Sequence, residues 1–163
     1  MKFWKEARDY IIIIVSVVLI RTFLVTPAIV DGASMDDTLK DGNLVIINKI
    51  VYKVSDIKRF DVVVVSNEIN NDKIIKRVIG MPNETVEYKN NKLYINDKEV
   101  KTNIKFKDTE DFIRTTSDNE YLVLGDNRPV SKDSRVLGNF TKEDIIGRVK
   151  IRLFPFNKIG KID

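Results

Sequence analysis

The hydrophobic pattern divides the chain into one long apolar run and a series of shorter ones. Residues Tyr10 to Val30 are mostly Ile, Val and Leu. As a helix this run would be about 31 Å long, close to the thickness of the hydrocarbon core of a membrane. We expect a helix from about Trp4 to Val25, because Pro27 would end or kink it. Arg21 and Thr22 interrupt the run, and Arg21 would lie near one membrane interface, within reach of polar surroundings.

The charges beside this run predict its orientation. Lys2, Lys5 and Arg8 precede it, and acidic residues follow it. An excess of positive charge before a membrane span places the N-terminus in the cytoplasm. We therefore predict that residues 1–30 are a short cytoplasmic tail and a single-pass anchor in the cell membrane, and that residues 31–163 form an extracytoplasmic domain. A cleaved secretory signal and a buried core helix are the alternative interpretations.

After Val30 the apolar positions predict strands and turns. Asn90-Asn91 and Asn96-Asp97 are typical of hairpin turns, and Asn103 to Asp118 reads as an exposed loop. Thr141 to Ile146 predicts one helical turn, with Asp144 at the capping-box position. Short strands at this spacing indicate a mainly β domain whose antiparallel sheets form a sandwich or a barrel. The predicted strands are Asn43 to Val51, Phe60 to Ser66, Ile74 to Ile79, Glu84 to Tyr88, Lys92 to Ile95, Glu120 to Leu124 and Ile145 to Phe154.

The composition removes the commonest catalytic groups. The 163 residues include no Cys and no His. Disulfides, thiol nucleophiles, thiolate metal sites and a Ser-His-Asp triad are therefore excluded, and any nucleophilic catalysis needs Lys, Asp, Glu or Tyr as its base. The net charge is only +4, from 28 basic and 24 acidic residues, which does not indicate a nucleic-acid partner. We expect no metal and no cofactor.

Two segments hold residues suited to catalysis without histidine. Residues 32–35, Gly-Ala-Ser-Met, place Ser34 beside small residues that permit a tight turn and close approach of a substrate. In the strand predicted over residues 74–79, alternation puts Lys76 on one face with Ile74 and Val78. Apolar neighbours lower the pKa of a lysine, and a useful base needs a fall from about 10.4 to about 7 or 8. An ordinary loop serine and an edge-strand lysine that reaches solvent are the alternatives.

A third segment, Gly125 to Arg135, is dense in Asp, Asn, Ser and Arg and directly follows an apolar strand. If residues 131–135 are extended, Ser131, Asp133 and Arg135 point the same way, and the last two form an ion pair. Such groups hold one another in position, as the surroundings of a catalytic site must do. The alternative is a polar turn held by local hydrogen bonds.

These segments, in this order behind one apolar run, resemble the motifs of bacterial type I signal peptidases. The family's Ser-Met-x-Pro-Thr-Leu motif reads Ser-Met-Asp-Asp-Thr-Leu at residues 34–39, and its Arg-Gly-Asp strand motif reads Arg-Phe-Asp at residues 59–61. The lysine motif at residues 76–82 and the box at residues 125–135 match closely. The resemblance covers nearly the whole chain, and its departures are Asp37 for Pro and Phe60 for Gly.

The resemblance implies a membrane-bound serine endopeptidase that removes signal peptides from exported preproteins. Its fold would be an all-β catalytic domain of coiled sheets that lies on the lipid membrane surface. Ser34 would attack the scissile carbonyl, and neutral Lys76 would take its proton. Ser131 would orient Lys76 through a hydrogen bond, and Asp133 and Arg135 would form a supporting ion pair.

The resemblance leaves two features of the site open. The backbone N–H of Ser34 is implied as one oxyanion donor, but Gly32 has no hydroxyl where some relatives carry the second donor. We expect a backbone group or a water to take that role. Asp37 also leaves two alternatives. Its negative charge favours the protonated form of Lys76, or its side chain points outward and has no effect on Lys76.

Two other function classes fit parts of the chain. A degenerate relative would act as a binding or chaperone module in pilus assembly, although this chain keeps both Ser34 and Lys76. A self-cleaving Ser-Lys repressor of related fold would need a helical DNA-binding domain, and the N-terminus offers an apolar segment instead.

Overall fold

The computed structural model describes residues 2–19, 24–67 and 72–162. Within them the chain is mainly β, as predicted, and the helices are α1 (Lys2–Leu19), α2 (Val51–Val54) and α3 (Ser134–Leu137). The strands are β1 (Val25–Ile29), β2 (Leu44–Asn48), β3 (Val62–Asn67), β4 (Asp72–Gly80), β5 (Thr85–Lys89), β6 (Lys92–Ile95), β7 (Lys98–Glu99), β8 (Phe112–Thr115), β9 (Glu120–Leu124), β10 (Phe140–Thr141), β11 (Ile145–Phe154) and β12 (Gly160–Lys161).

The strands form two antiparallel sheets. The large sheet has the order β1-β2-β11-β3-β4-β9-β10, with β12 also paired to β11, and the small sheet has the order β7-β6-β5-β8. Strand β4 therefore lies inside the large sheet, between β3 and β9. A lysine on β4 is held by neighbours on both sides.

Hydrophobic clusters cover both faces of the large sheet. Val62 and Val64 of β3 pack in one cluster, and the valines that alternate with them pack in another. The first cluster includes Met35 and Leu39 from the segment that follows β1. A third cluster joins β9 to the small sheet. The segment that holds Ser34 is thereby attached to the core.

The two predicted asparagine turns are confirmed. Asn90 and Asn91 have φ angles of 50° and 62° between β5 and β6, and Asn96 and Asp97 have 48° and 63° between β6 and β7. Two successive positive φ angles define the turn that matches the twist of a two-stranded hairpin, and Asn and Asp tolerate them well.

The described part of the N-terminal helix, α1, runs from Lys2 to Leu19 and lies largely within the helix predicted from about Trp4 to Val25. Strand β1 begins at Val25 and pairs with β2. Pro27 fits in β1 because the outer side of an edge strand leaves its N–H groups unpaired. Residues 25–29, near the end of the apolar run, therefore belong to the large sheet. Arg21 and Thr22 lie outside the described residues.

Within the described residues, no helix is both long and apolar enough to cross a membrane. The first eight residues of α1 include five charged ones, and the uncharged part runs from Tyr10 to Leu19.

Two segments that were predicted as a loop and as a helical turn contain strands instead. β8 lies within the loop predicted over Asn103 to Asp118, and it pairs with β5, where the rings of Phe112 and Tyr88 stack with centroids 5.4 Å apart. Residues 141–146 form β10, a turn and the start of β11 instead of a helical turn. The Asp144 carboxylate accepts hydrogen bonds from the backbone N–H and the hydroxyl of Thr141 and closes that turn.

Candidate active site

Ser34 and Lys76 meet although 42 residues separate them, with Lys76 Nζ 2.8 Å from Ser34 Oγ. The Lys76 side chain lies in the large sheet with 3% of its surface exposed, and Ser34 is half-buried. Lys76 is therefore not an edge-strand lysine that reaches solvent. The structure forms the serine–base pair that nucleophilic catalysis requires.

Burial adjusts the basicity of the lysine. Desolvation lowers the pKa of Lys76 from 10.5 to about 8, while the charges of Asp133 and Asp126 raise it. Lys76 Nζ also donates to the Ile75 carbonyl at 3.0 Å, which orients the amine. An amine with a lowered pKa at hydrogen-bond distance from a hydroxyl is the arrangement that general-base catalysis needs.

The backbone around Ser34 is held by the core and by the segment after β9. Met35 and Leu39 are fully buried. The Asn127 backbone N–H donates to the Ser34 carbonyl at 3.0 Å, and the Asn127 side-chain amide donates to the Ala33 carbonyl at 3.0 Å. These contacts fix the backbone at Ala33 and Ser34 to the segment after β9.

The Ser34 backbone N–H donates to no acceptor within the described residues, so it is available to an oxyanion. Gly32 has a φ of 87°, which glycine adopts without strain, and its N–H donates to Asp41 Oδ1 at 2.8 Å. The Gly32 N–H is therefore committed elsewhere, and the expected second donor must come from another group.

Asp133 and Arg135 form a bidentate ion pair, with distances of 2.9 Å from Nε to Oδ1 and 3.0 Å from Nη2 to Oδ2. The Asp133 carboxylate is fully buried and also accepts the Gly125 N–H at 3.0 Å. This pair fixes the segment that begins at Gly125. A side chain at Gly125 would overlap both Ser131 and the Ser34 carbonyl, so only glycine permits this close approach.

Ser131 is placed next to the site without making the bond that the resemblance implies. Its side chain is buried, and its Oγ has no hydrogen-bond partner in the part of the chain that the structure describes. The Ser131–Lys76 hydrogen bond is therefore not formed in this structure. Lys76 is oriented by Ser34 and by the Ile75 carbonyl instead.

Sequence reasoning assigned no role to a buried network beside the pair. Arg77 donates to both carboxylate oxygens of Asp126, at 2.9 and 2.8 Å, and both side chains have no exposed surface. Thr38 donates to Asp126 Oδ2 at 2.5 Å. The network joins β4, the segment after Ser34 and the segment after β9. The sequence feature that could have predicted this network is Arg77, which lies on the face of β4 opposite to Lys76. Both faces of β4 are buried there, and a buried charge needs a partner.

A second buried arginine supports the same region. Arg128 has 1% of its surface exposed and lies between the rings of Tyr88 and Phe106, 4.5 and 4.3 Å from their centroids. It donates to the Gly125 carbonyl and to the Thr109 hydroxyl, each at 2.9 Å. The loop after β7 therefore packs against the catalytic segment.

The two departures from the family motifs have different surroundings. Asp37 is exposed, and its carboxylate lies 3.3 Å from Lys107 Nζ. The outward orientation is the one observed, and the acidic groups that raise the pKa of Lys76 are Asp133 and Asp126. Phe60 has a φ of 71°, a conformation in which glycine is unstrained and a bulky residue is an outlier.

A cleft of about 400 Å³ opens beside the serine–lysine pair. Residues of β1 and β4 form its walls, among them Ala28, Ile29 and Ile75, and Met35 lines it from the serine side. The cleft is mostly apolar and ends at the reactive hydroxyl. It suits short apolar side chains next to an extended peptide backbone.

Comparisons with known proteins agree on one family. The sequence model of the family described as "Signal peptidase, peptidase S26" matches residues 4–154. Signal peptidase I of Bacillus amyloliquefaciens is 44% identical over 168 residues, which cover 95% of this chain and 90% of that protein. Signal peptidase IB of Staphylococcus aureus is 40% identical and covers 94% of this chain and 93% of its own.

The fold gives the same result. The crystal structure of a signal peptidase I from Enterococcus faecalis superposes with a TM-score of 0.52 at 32% sequence identity. The superposition covers 58% of this chain and 97% of that one.

Proposed function

From the premise that this chain belongs to the signal peptidase family of peptidase S26, we propose that Ser34 and Lys76 are the dyad with which it removes signal peptides from exported preproteins. Members of this family are serine peptidases, and the chain is accordingly a hydrolase. The observation that carries the proposal is the 2.8 Å contact between Lys76 Nζ and Ser34 Oγ in a buried setting.

The geometry supports a two-step mechanism. Neutral Lys76 takes the hydroxyl proton as Ser34 Oγ attacks the scissile carbonyl, and the Ser34 N–H donates to the oxyanion. Lys76 then returns the proton to the leaving amine, which frees the exported protein and leaves an acyl ester on Ser34. In the second step Lys76 takes a proton from water, and the resulting attack releases the signal peptide and restores the hydroxyl.

Cleavage of a model preprotein tests the dyad. Ser34→Ala and Lys76→Ala should each lower kcat/KM by about a thousandfold or more, because neither half of the pair acts alone. Lys53→Ala is the matched control, since Lys53 is exposed on α2, and it should keep full activity. Product masses report the position of the cut. A Ser34→Ala or Lys76→Ala protein that retains a tenth of the activity contradicts the proposal.

The degenerate module of pilus assembly is not supported as an alternative. The relatives reported above are named as signal peptidases, and both dyad residues are present in a buried, hydrogen-bonded arrangement.

The cleft supports a preference for small residues before the scissile bond. The family resemblance implies small side chains at the first and third positions. Cleft walls formed by Ala28, Ile29 and Ile75 leave about 400 Å³ beside the dyad, which favours short apolar groups over long ones.

We place the protein at the cell membrane as a single-pass protein, with its N-terminus in the cytoplasm and its catalytic domain outside. The apolar run and the basic residues before it support this orientation. Membrane anchoring would bring enzyme and membrane-bound substrate together and restrict their orientation.

One face of the large sheet also supports this location. Strand register aligns Ile29, Leu44 and Phe154 in one row, and the adjacent row holds Pro27, Ile46 and Ile151. We call these two rows, with the neighbouring Phe156 and Ile159, the apolar face. Ile29, Phe156 and Ile159 are 70%, 78% and 57% exposed. Lys150, Lys158 and Lys161 lie beside it, and such a combination favours contact with an anionic lipid surface.

A further inference from the structure

A second depression, which shares no lining residue with the cleft, lies close to Ser34 along the chain. It runs between Asp37 and Thr38, which follow Ser34, and the loop at residues 99–107. Two adjoining hollows make it up, and the larger encloses about 830 Å³. We call it the basic groove, because lysines predominate among its charged residues.

The charges of the basic groove are unevenly paired. Of its four lysines, Lys107 lies 3.3 Å from the Asp37 carboxylate, and Lys92 lies 3.5 Å from the Glu99 carboxylate. Lys101 and Lys105 are exposed and form no ion pair within the described residues. Two positive charges therefore remain for a ligand, and no acidic residue that lines the groove is left unpaired.

The wall that bears these lysines is fixed relative to the dyad. The Lys107 backbone N–H donates to the Asp126 carbonyl at 3.0 Å, and the Phe106 ring packs on buried Arg128. Both contacts reach the segment whose Asn127 holds the Ser34 carbonyl. A ligand bound to Lys101 and Lys105 is thereby held at a defined distance from the reactive hydroxyl.

The cleft and the groove share no lining residue, and they adjoin along one short segment: Ser34 lines the cleft, and Asp37 lines the groove. The cleft is built from β1 and β4 and includes Ile29, which also belongs to the apolar face. In the function proposed above, the signal peptide would occupy the cleft, which adjoins the apolar face, and the chain beyond the scissile bond would extend toward the groove. Asp37 is three residues after Ser34 and so lies at most about 11 Å along the chain from it. At about 3.3 Å per residue, an extended substrate reaches the groove about three positions after the bond.

We propose, on the basis of the function proposed above, that the basic groove binds the exported segment of the preprotein and selects acidic residues there. Lys101 and Lys105 are the specificity-determining residues. Because both are exposed, the selection is electrostatic and decreases as salt screens the charges.

Matched substrates test the proposal. Three preproteins share one signal peptide and one cleavage site and carry two Glu, two Gln or two Lys at the third to seventh positions after the bond. At low ionic strength kcat/KM should be about fivefold higher for the Glu substrate than for the Gln substrate, and lower still for the Lys substrate. The preference should fall toward unity in about 0.5 M salt.

Paired variants assign the effect to the groove. Lys101→Gln combined with Lys105→Gln should reduce the Glu-to-Gln ratio to near one, and Lys101→Glu with Lys105→Glu should invert it. Lys53→Gln with Lys142→Gln removes the same net charge from exposed lysines outside the groove and should keep the preference. An equal ratio for all substrates in the unaltered protein, or a preference that survives the Lys101 and Lys105 changes, overturns the proposal.

Binding separates this proposal from the dyad. A fluorescent peptide that consists of the acidic exported segment alone should bind the full chain by anisotropy, and bind several-fold more weakly after Lys101→Gln with Lys105→Gln. If the peptide binds as expected but no preprotein is cleaved, the proposed dyad is contradicted and the groove proposal is not. Cleavage of all substrates without peptide binding or charge preference contradicts the groove alone.

Discussion

At the scale of single residues, Lys76 has to meet two opposing requirements. The burial that makes it a base also destabilises the folded protein, because a charged amine is costly to remove from water. Its hydrogen bonds to Ser34 and to the Ile75 carbonyl offset part of that cost. Lys76 is thus expected to lower the stability of the fold.

The first prediction at this scale concerns pH. Protonated Lys76 cannot take a proton, so kcat/KM should rise with pH through a midpoint near 8, the pKa to which burial lowers the amine. Asp37→Asn should leave that midpoint in place, since the Asp37 carboxylate is exposed and paired with Lys107. The pH–rate profiles of both proteins check this. A midpoint that moves to lower pH in Asp37→Asn would show that its charge does reach Lys76.

The second prediction concerns stability. Below pH 8 the folded chain bears the full cost of the buried ammonium, which a pKa of about 8 instead of 10.5 puts at about 3 kcal/mol before the lost hydrogen bonds are counted. Lys76→Met should therefore raise the free energy of unfolding at pH 7 by about 1 to 3 kcal/mol.

The pH dependence of this gain has a definite sign. Between pH 8 and 10.5 the unfolded chain binds more protons than the folded one, so the unaltered protein gains stability as the pH rises. The advantage of Lys76→Met should then shrink between pH 7 and pH 9.5 in urea titrations. Lys53→Met, at an exposed position, is the control. An inactive Lys76→Met protein that is less stable at pH 7 contradicts the assigned burial cost.

At the scale of secondary-structure elements, strands with a clear alternation were predicted well. β6, β9 and β11 have the predicted bounds, and β4 was placed within a few residues. β1 was missed because its apolar residues continue the N-terminal run without a break, and the pairing with β2 that defines it is not visible locally. β8 was not predicted because its four residues stand among charged ones and show no clear alternation. They form a strand because they pair with β5.

In the site, too, features that are visible in the local sequence were predicted, and features that depend on tertiary contacts were not. Ser34 and Lys76 stand in short motifs that residue type and spacing single out. The Arg77–Asp126 pair joins residues 49 positions apart, and its existence follows from tertiary burial rather than from either local sequence. The missing Ser131–Lys76 bond likewise depends on the packing of two segments, which a motif does not specify.

An element-scale prediction concerns the turn before β3. Phe60 has a φ of 71°, and its ring packs beside the cluster between the two sheets. Phe60→Gly and Phe60→Ala both lose that packing, but only glycine is unstrained at this φ. Phe60→Gly should therefore be more stable than Phe60→Ala by about 1 kcal/mol, by denaturant unfolding. The reverse order, which is usual where φ is negative, would contradict the observed backbone conformation.

At the scale of the whole molecule, three surfaces follow one another across the domain. The apolar face continues into the cleft through Ile29, the cleft ends at Ser34, and the basic groove begins at Asp37. In the function proposed above, these three surfaces would face the signal peptide, the scissile bond and the exported chain in turn.

A whole-molecule prediction tests the apolar face. Because the chain has no Cys, a single introduced thiol can carry an environment-sensitive dye. In vesicles with anionic lipid, dye on Phe156→Cys should shift its emission to shorter wavelength, because that position enters the interface. Dye on Ile113→Cys, which is 65% exposed on the small sheet, should not shift. Equal emission at both positions contradicts membrane contact by this face.

The pairing of β1 with β2 has a further consequence for reach. Only residues 20–24 separate the end of α1 at Leu19 from the start of β1 at Val25. A connection of that length extends at most about 20 Å. Wherever Leu19 is held, Val25 stays within that distance, so the position of the helix limits how far the edge of the large sheet can move away from it.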